Sequence, residues 1–301
     1  MLPEFAQAGP FPAAAGLGEG CRGTHQERKV SAGVSGDRFA VTEESEAGGQ
    51  FVGDELIVGR PLERQEGLQE LLDLGGPGGA MVDTLTVPTY RHEALAAYQS
   101  GREFDEELLD QLELAPRLVE AMGFAAVKAG GYEADDFLAA GVAFEEGRGG
   151  TALVASGDRD TFQLASERTT ILQPQKGGGP LARIGPAEVR ERYGVDPAQV
   201  PDFIALRGDP SDKIPGARGV GAKTAASLLA QYGSLESALA EGRFAAEAAA
   251  LRLYRHVATM DRDAPLPALE DQEPTWSRAA ALADKWGLGR LAGRLEALSS
   301  S

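Results

Sequence analysis

Residues 202–226 read DFIALRGDPSDKIPGARGVGAKTAA, and the rest of the chain falls into place around them. Phe203 to Leu206 reads as the last turns of a helix that Gly208 stops, because glycine takes the left-handed conformation at little cost. Asp209 and Asp212 follow in a tight turn built by Pro210 and Ser211. Pro215 to Gly221 then makes a hairpin almost bare of side chains, its glycines at Gly216, Gly219 and Gly221, and Ala222-Lys223-Thr224 opens a second helix. A glycine hairpin feeding a helix N-terminus aims backbone N–H groups outward with nothing covering them. That geometry suits a phosphate, and Arg218 and Lys223 flank it with positive charge.

Two more acidic clusters lie upstream. Tyr132-Glu133-Ala134-Asp135-Asp136 stands at the start of a predicted helix, Glu133 to Glu146. The macrodipole favours negative charge there, and Glu133 and Asp136 share a face. Helix capping accounts for one or two acids at such a place and leaves the third unexplained. Ser156-Gly157-Asp158-Arg159-Asp160 follows TALVAS (151–156), a predicted buried strand. In open α/β sheets ligands sit at this carboxyl edge. Spacing alone does not bring the three clusters together.

Predicted strands at Ala80–Val82, Phe124–Lys128, 151–156 and Thr169–Gln173 alternate with helices at Tyr90–Tyr98, Phe104–Met122, Glu133–Glu146, about 161–165, Pro186–Tyr193 and Pro197–Arg207. The last two helices are entered through proline, and Pro116 predicts a kink or break inside the second. The alternation implies a mostly parallel twisted sheet with helices on both faces. Beyond Ala222 the pattern is helical only, with starts at Ser234, Ala245 and Ser277, stops at Gly233, Gly242 and Gly287, and a proline-bearing connector from Asp263 to Pro274. Residues 1–79 are rich in Gly, Ala and Glu; a strand at Gln50–Val58 and a helix at Leu62–Leu74 are expected, and poor order elsewhere. The expected layout is an atypical segment 1–79, an α/β core 80–185 and a helical region 186–301.

With 301 residues, 43% hydrophobic and 25% charged, the composition is that of a water-soluble globular protein with a sizeable core. A cytoplasmic monomer is expected: no apolar run approaches a membrane span, no signal-peptide pattern opens the chain, and the single cysteine, Cys21, excludes an internal disulfide framework. The net charge of −17 argues against a protein that coats DNA, which usually carries a basic face. A metal site reconciles the two, since bound divalent cations reverse the local field of a carboxylate cluster.

From about Thr89 to about Leu298 the chain resembles the 5′–3′ exonuclease and flap-endonuclease family, on the strength of GYEADD, the S-G-D-R-D turn and GDPSDKIPGARGVGAKTA. The resemblance implies a PIN-like nuclease core followed by a helix–hairpin–helix clamp. By position it makes Glu133, Asp135, Asp136, Asp158, Asp160, Asp209 and Asp212 the ligands of two Mg²⁺ or Mn²⁺ ions. It makes Gly216, Arg218, Gly219, Gly221, Lys223 and Thr224 the grip on duplex DNA, often with a monovalent cation such as K⁺. Acids this close repel by about 4 kcal/mol per pair at 4 Å and a dielectric near 20. Oxygen-only ligation suits Mg²⁺ or Mn²⁺, and two ions about 4 Å apart activate water and stabilise both oxygens of the displacement.

The same resemblance makes Thr89 to Arg102 an arch in which Arg91 and Arg102 contact the scissile phosphate. Its lysine is absent: the family's Tyr-Lys step is Tyr98-Gln99 here. The family's opening strand, which ends in Asp-Gly, has no counterpart in residues 1–79, and Asp54 is a poor substitute. Asp83 lies near a second family aspartate but one residue out of register. The expected function is metal-dependent cleavage of DNA at 5′ ends, flaps and nicks. A DNA-junction binder with impaired cleavage and an RNA-cleaving relative are the other readings.

Overall fold

The computed structural model describes residues 79–84, 87–104, 106–175, 181–269 and 273–300. The expectations for residues 1–78, including the strand at 50–58, the helix at 62–74 and Asp54, lie outside these. Strand β1 (Gly79–Met81) pairs in parallel with β2 (Ala125–Val127), Met81 opposite Val127. Strand β3 (Ala152–Ala155) runs parallel to β4 (Thr169–Gln173), and β5 (Ala182–Ile184) lies antiparallel on the other side of β4. Thr169, Ile171, Leu172 and Gln173 of β4 are all buried, as in a strand covered on both faces.

The pairing is mostly parallel, as expected, but the described strands form two sheets rather than one. Helix α1 (Tyr90–Ala94) and helix α2 (Glu106–Ala121) lie between β1 and β2, and helix α3 (Ala134–Gly147) joins the two sheets. Phe137 and Ala140 of α3 pack with Val127, while Ala139 and Val142 join the larger core with Val154 and Ile171. A helix apolar on most of its circumference can serve two cores at once.

Some expected bounds shift. Helix α1 stops at Ala94 rather than Tyr98, because Leu95 takes extended backbone and Tyr98 turns inward. Helix α2 runs unbroken through Pro116. Proline removes one backbone hydrogen bond there, but Leu118, Ala121 and Met122 beyond it are buried and hold the last turns in place.

Helix α4 (Pro186–Tyr193) and helix α5 (Val200–Arg207), the latter led by a 3₁₀ turn at Pro197–Gln199, begin as the prolines require. Helices α6 (Ala222–Tyr232), α7 (Leu235–Ala240), α8 (Ala248–Ala258), α9 (Trp276–Lys285) and α10 (Gly289–Ser299) follow. Helix α5 is the hub: Phe203, Ile204 and Leu206 are buried in one core with Leu228 and Leu229 of α6 and Leu251 and Val257 of α8. Asp202 at its first turn is buried, accepts the Leu235 N–H at 3.0 Å and pairs with Arg255 at 2.7 Å. Helices α9 and α10 form a hairpin whose Ala279, Ala280, Ala283, Ala292 and Leu295 close a second core against α2. Among the described residues no helix is long and apolar enough to cross a membrane.

Candidate metal centre and nucleic-acid interface

The GDPSD turn is a closed loop. Asp209 and Ile214 exchange both backbone hydrogen bonds at 2.8 Å, and Ala217 N–H reaches back to Leu206 C=O at 2.9 Å. Asp209 is held from two sides: Oδ1 accepts from the Ser211 amide at 2.8 Å and from the Ser211 hydroxyl, and Oδ2 accepts from Arg207 at 3.0 Å. Gly208, expected in the left-handed helical conformation, has φ 82° and ψ 162° instead. That region is open essentially to glycine alone, and it turns the chain back so that Pro215 and Gly216 can pass across α5's end.

The other acids come from strand ends and a helix start. Asp158 and Asp160 follow β3, where Asp158 Oδ1 accepts the Asp160 N–H at 2.8 Å and Ser156 Oγ accepts the Asp158 N–H at 3.0 Å. Glu133, Asp135 and Asp136 open α3. Asp83, two residues past β1, caps the same helix by accepting the Ala134 N–H at 2.6 Å.

Burial raises Asp135 well above the ordinary carboxylate range, and Asp158, Asp83 and Glu133 add to the rise. Asp160 is raised by burial and then by Asp158, Asp212, Asp209 and Asp135. Burial, followed by Asp158, lifts Asp212 to about 6 against the pull of Arg102 and Gln99. Asp83 also rises to about 6, from burial first and Glu133 next, despite its helix-capping bond. The three sequence clusters therefore share one electrostatic neighbourhood, and Asp83 joins it. Sequence reasoning set Asp83 aside on register; its place just past a strand end, like that of Asp158 past β3, was the signal for it.

Asp136 differs from its neighbours. Burial pushes its carboxyl up, but the hydrogen bonds and charge of Arg91, with backbone donors at Asp261 and Glu133, hold it below the usual range. Arg91 grips it with two bonds of 2.7 Å and is itself only 3% exposed. Glu133 accepts from Thr89 Oγ1 at 3.0 Å and from the buried Tyr98 hydroxyl at 2.9 Å.

The end of the arch folds onto the GDPSD turn. Gln99 N–H donates to Asp212 C=O at 3.3 Å, and its side-chain amide donates to Asp212 Oδ1 at 3.1 Å and to Tyr98 Oη at 3.0 Å. Arg102 reaches the same Oδ1 at 3.3 Å. Of the two expected phosphate-contacting arginines, Arg102 thus flanks the acids and Arg91 is enclosed beneath them.

Along the hairpin, Arg218, Gly219, Gly221, Lys223 and Thr224 are exposed, and Gly216 is half-buried. Gly221 is the N-cap of α6, whose first-turn N–H groups have no partner within the helix. The Arg218 N–H donates to Glu247 at 3.1 Å.

The acids fit a hard divalent cation. Asp135 Oδ1 is buried with no hydrogen-bond partner, a costly arrangement for a carboxylate unless a cation approaches it. The donors are all oxygen, as such cations require. Among the described residues, however, no three acids already converge on a common ligating point.

Two consecutive family models match: the 5′–3′ exonuclease N-terminal resolvase-like domain over residues 77–194, and the 5′–3′ exonuclease C-terminal SAM fold over residues 195–278. The chain belongs to the 5′–3′ exonuclease family. The first match takes in the arch, the Glu133 cluster and the Asp158 turn; the second takes in the Asp209 turn and the hairpin. This exonuclease-family chain is 39% identical over 187 residues to DNA polymerase I of Mycobacterium leprae, covering 62% of the chain and 20% of that protein. It is 43% identical over 173 residues to the thermostable DNA polymerase I of Thermus filiformis, covering 57% of the chain and 20% of that protein. The chain therefore spans about a fifth of the length of these relatives. In fold it is similar to T5 5′-exonuclease with bound divalent metal ions (zinc), at a TM-score of 0.50 and 18% identity over 71% of this chain and 80% of that one.

Proposed function

We propose that this chain hydrolyses DNA phosphodiester bonds at 5′ ends and flaps, using two divalent cations, Mg²⁺ or Mn²⁺. Glu133, Asp135, Asp158, Asp160, Asp209 and Asp212 would hold them. The observation that carries the reading is Asp135: a buried carboxylate oxygen without a partner, amid carboxyls that raise one another. The bound ions would supply activation of water and neutralisation of phosphate charge. Arg102 stands beside Asp212 with part of its side chain in solvent, positioned to turn from that carboxylate to a phosphate. The exposed glycine hairpin and Lys223 would grip the duplex backbone through N–H groups and charge, independent of base sequence. A K⁺ ion at the hairpin belongs to the same reading.

One observation favours a second reading, a DNA-junction binder that cleaves poorly. Gln99 occupies Asp212 with a neutral amide where the family resemblance calls for a lysine. Incubating the purified chain with a labelled 5′-flap duplex, with and without Mn²⁺, separates the two. Mn²⁺-dependent cleavage supports the nuclease; metal-independent retention of the flap without cleavage supports the binder.

A further inference from the structure

We propose that Arg91 and Asp136 are positioning residues, a buried clamp that aims Glu133 and Asp135 at the metal ions while touching neither metal nor phosphate. The proposal rests on the metal reading above. Asp136 has no oxygen to spare. Its Oδ1 accepts from Arg91 Nη2 at 2.7 Å, from the Asp261 amide at 2.8 Å and from the Tyr90 hydroxyl at 3.2 Å; its Oδ2 accepts from Arg91 Nη1 at 2.7 Å and from the Glu133 amide at 3.0 Å. Five donors saturate a carboxylate with about four lone-pair sites. An ion could bind there only by displacing a two-pronged, buried guanidinium. Asp135, the next residue, is the opposite case, with a buried oxygen that nothing satisfies.

Arg91 is committed in the same way. Its Nε donates to Val257 C=O at 2.8 Å, and its Nη2 also reaches Thr259 C=O at 3.4 Å. The Tyr90 ring lies against the guanidinium at 4.6 Å. With 3% of Arg91 exposed, no phosphate reaches it unless α1 moves. What the pair does control is the first turn of α3. Asp136 holds the Glu133 amide, and Arg91 Nη1 stands 3.5 Å from Glu133 Oε2. The Glu133 carboxylate is then fixed by Thr89 and Tyr98. The clamp joins α1, α3 and the end of α8, so the helical region that carries the hairpin is tied to the turn that presents the acids.

The test counts Mn²⁺ ions bound per chain, from the EPR signal of free Mn²⁺, alongside the melting temperature. Asp136→Asn is expected to bind as many ions as the unaltered chain but about 10–100-fold more weakly, as when a partner that orients a ligand is lost. Asp135→Asn is expected to bind one ion fewer. Arg91→Lys should recover part of the affinity lost in Arg91→Met, because it returns the charge without the planar fork. If single variants unfold, the double variant Arg91→Met/Asp136→Leu leaves neither charge of the pair buried alone; it should fold better than either single variant and still bind the full number of ions. Loss of an ion in Asp136→Asn or in the double variant overturns the proposal, as does unchanged affinity in Asp136→Asn. An unaltered chain that binds no Mn²⁺ sinks the metal reading itself, and this proposal with it.

Discussion

Gly208 and Gly216 meet backbone against backbone: a Cβ built on Gly216 would stand 2.4 Å from the Gly208 amide nitrogen. Gly216 also has φ 75°, and so does Gly219, but a Cβ on Gly219 would meet nothing within 4 Å. The two positions therefore separate backbone strain from collision. Gly219→Ala is expected to cost about 1–2 kcal/mol, the usual strain of a left-handed alanine. Gly216→Ala should cost more than about 3 kcal/mol, because backbone atoms cannot move aside as a side chain can. Denaturant midpoints of the two variants check this; equal losses would mean the loop opens freely.

Gln99→Lys is expected to raise the cleavage rate without tightening DNA binding much. Gln99 sits at φ 46° with its amide between Asp212 and Tyr98. A lysine there would bring a cation to the edge of the acid cluster, and one well-placed donor to developing charge is typically worth about 10²–10³ in rate. Single-turnover cleavage of a 5′-flap substrate measures it. No gain would show that position 99 does not act on the reacting phosphate.

Metal and pH are expected to act in opposition. Asp83 and Asp212 titrate near 6 in the folded chain, above the 3.8 of an unperturbed aspartate. A carboxyl with a raised pKa binds its proton more tightly when folded, so without metal their contribution to stability grows as pH falls from above 6 towards 4. Divalent ions need the ionised form. Their stabilisation, about 2.7 kcal/mol at a hundredfold excess over Kd, should therefore appear as pH rises through 6. Melting temperatures from pH 5 to 8, with Mn²⁺ and with EDTA, should diverge upward. Parallel curves would rule out a shared site.

Binding and cleavage should separate by mutation. Lys223 is exposed at the start of α6, so Lys223→Ala should weaken duplex binding and reduce the salt slope by about one unit. Asp158 lies among the acids, and Asp158→Ala should abolish cleavage while leaving binding in place. Full nuclease activity in Asp158→Ala, or an unchanged salt slope in Lys223→Ala, would contradict the assignment of roles.

The sequence made the hairpin, the strand-end acids and most element bounds legible because each rests on local chemistry. Proline at positions 186 and 197 starts helices, and Thr169–Gln173 has the β-branched and apolar content of a buried strand. What it did not reveal depends on distant partners. The resemblance puts Arg91 at the scissile phosphate, because nothing in its local sequence names Asp136, Val257 and Thr259 as its partners. Asp83 looked misplaced because register along the chain says little about where a strand end meets a helix cap. Strand β5 is three residues long, and α10 opens on glycine, so neither carries a strong local signal.

The seat of α9 and α10 on α2 also sets an order of events during synthesis. Thr275 donates to the Ala121 carbonyl across 154 residues of sequence, and the buried faces of Leu118, Ala121 and Met122 are completed by residues 276 and beyond. At about 5–20 residues per second on a ribosome, α2 waits roughly 8–30 s for its partner to emerge. Through that interval its apolar stripe is open to solvent and to chaperones. Docking of the α9–α10 hairpin is thus the step that covers this stripe, and substitutions such as Ala280→Asp should lower the yield of soluble protein more than they disturb the distant acid cluster.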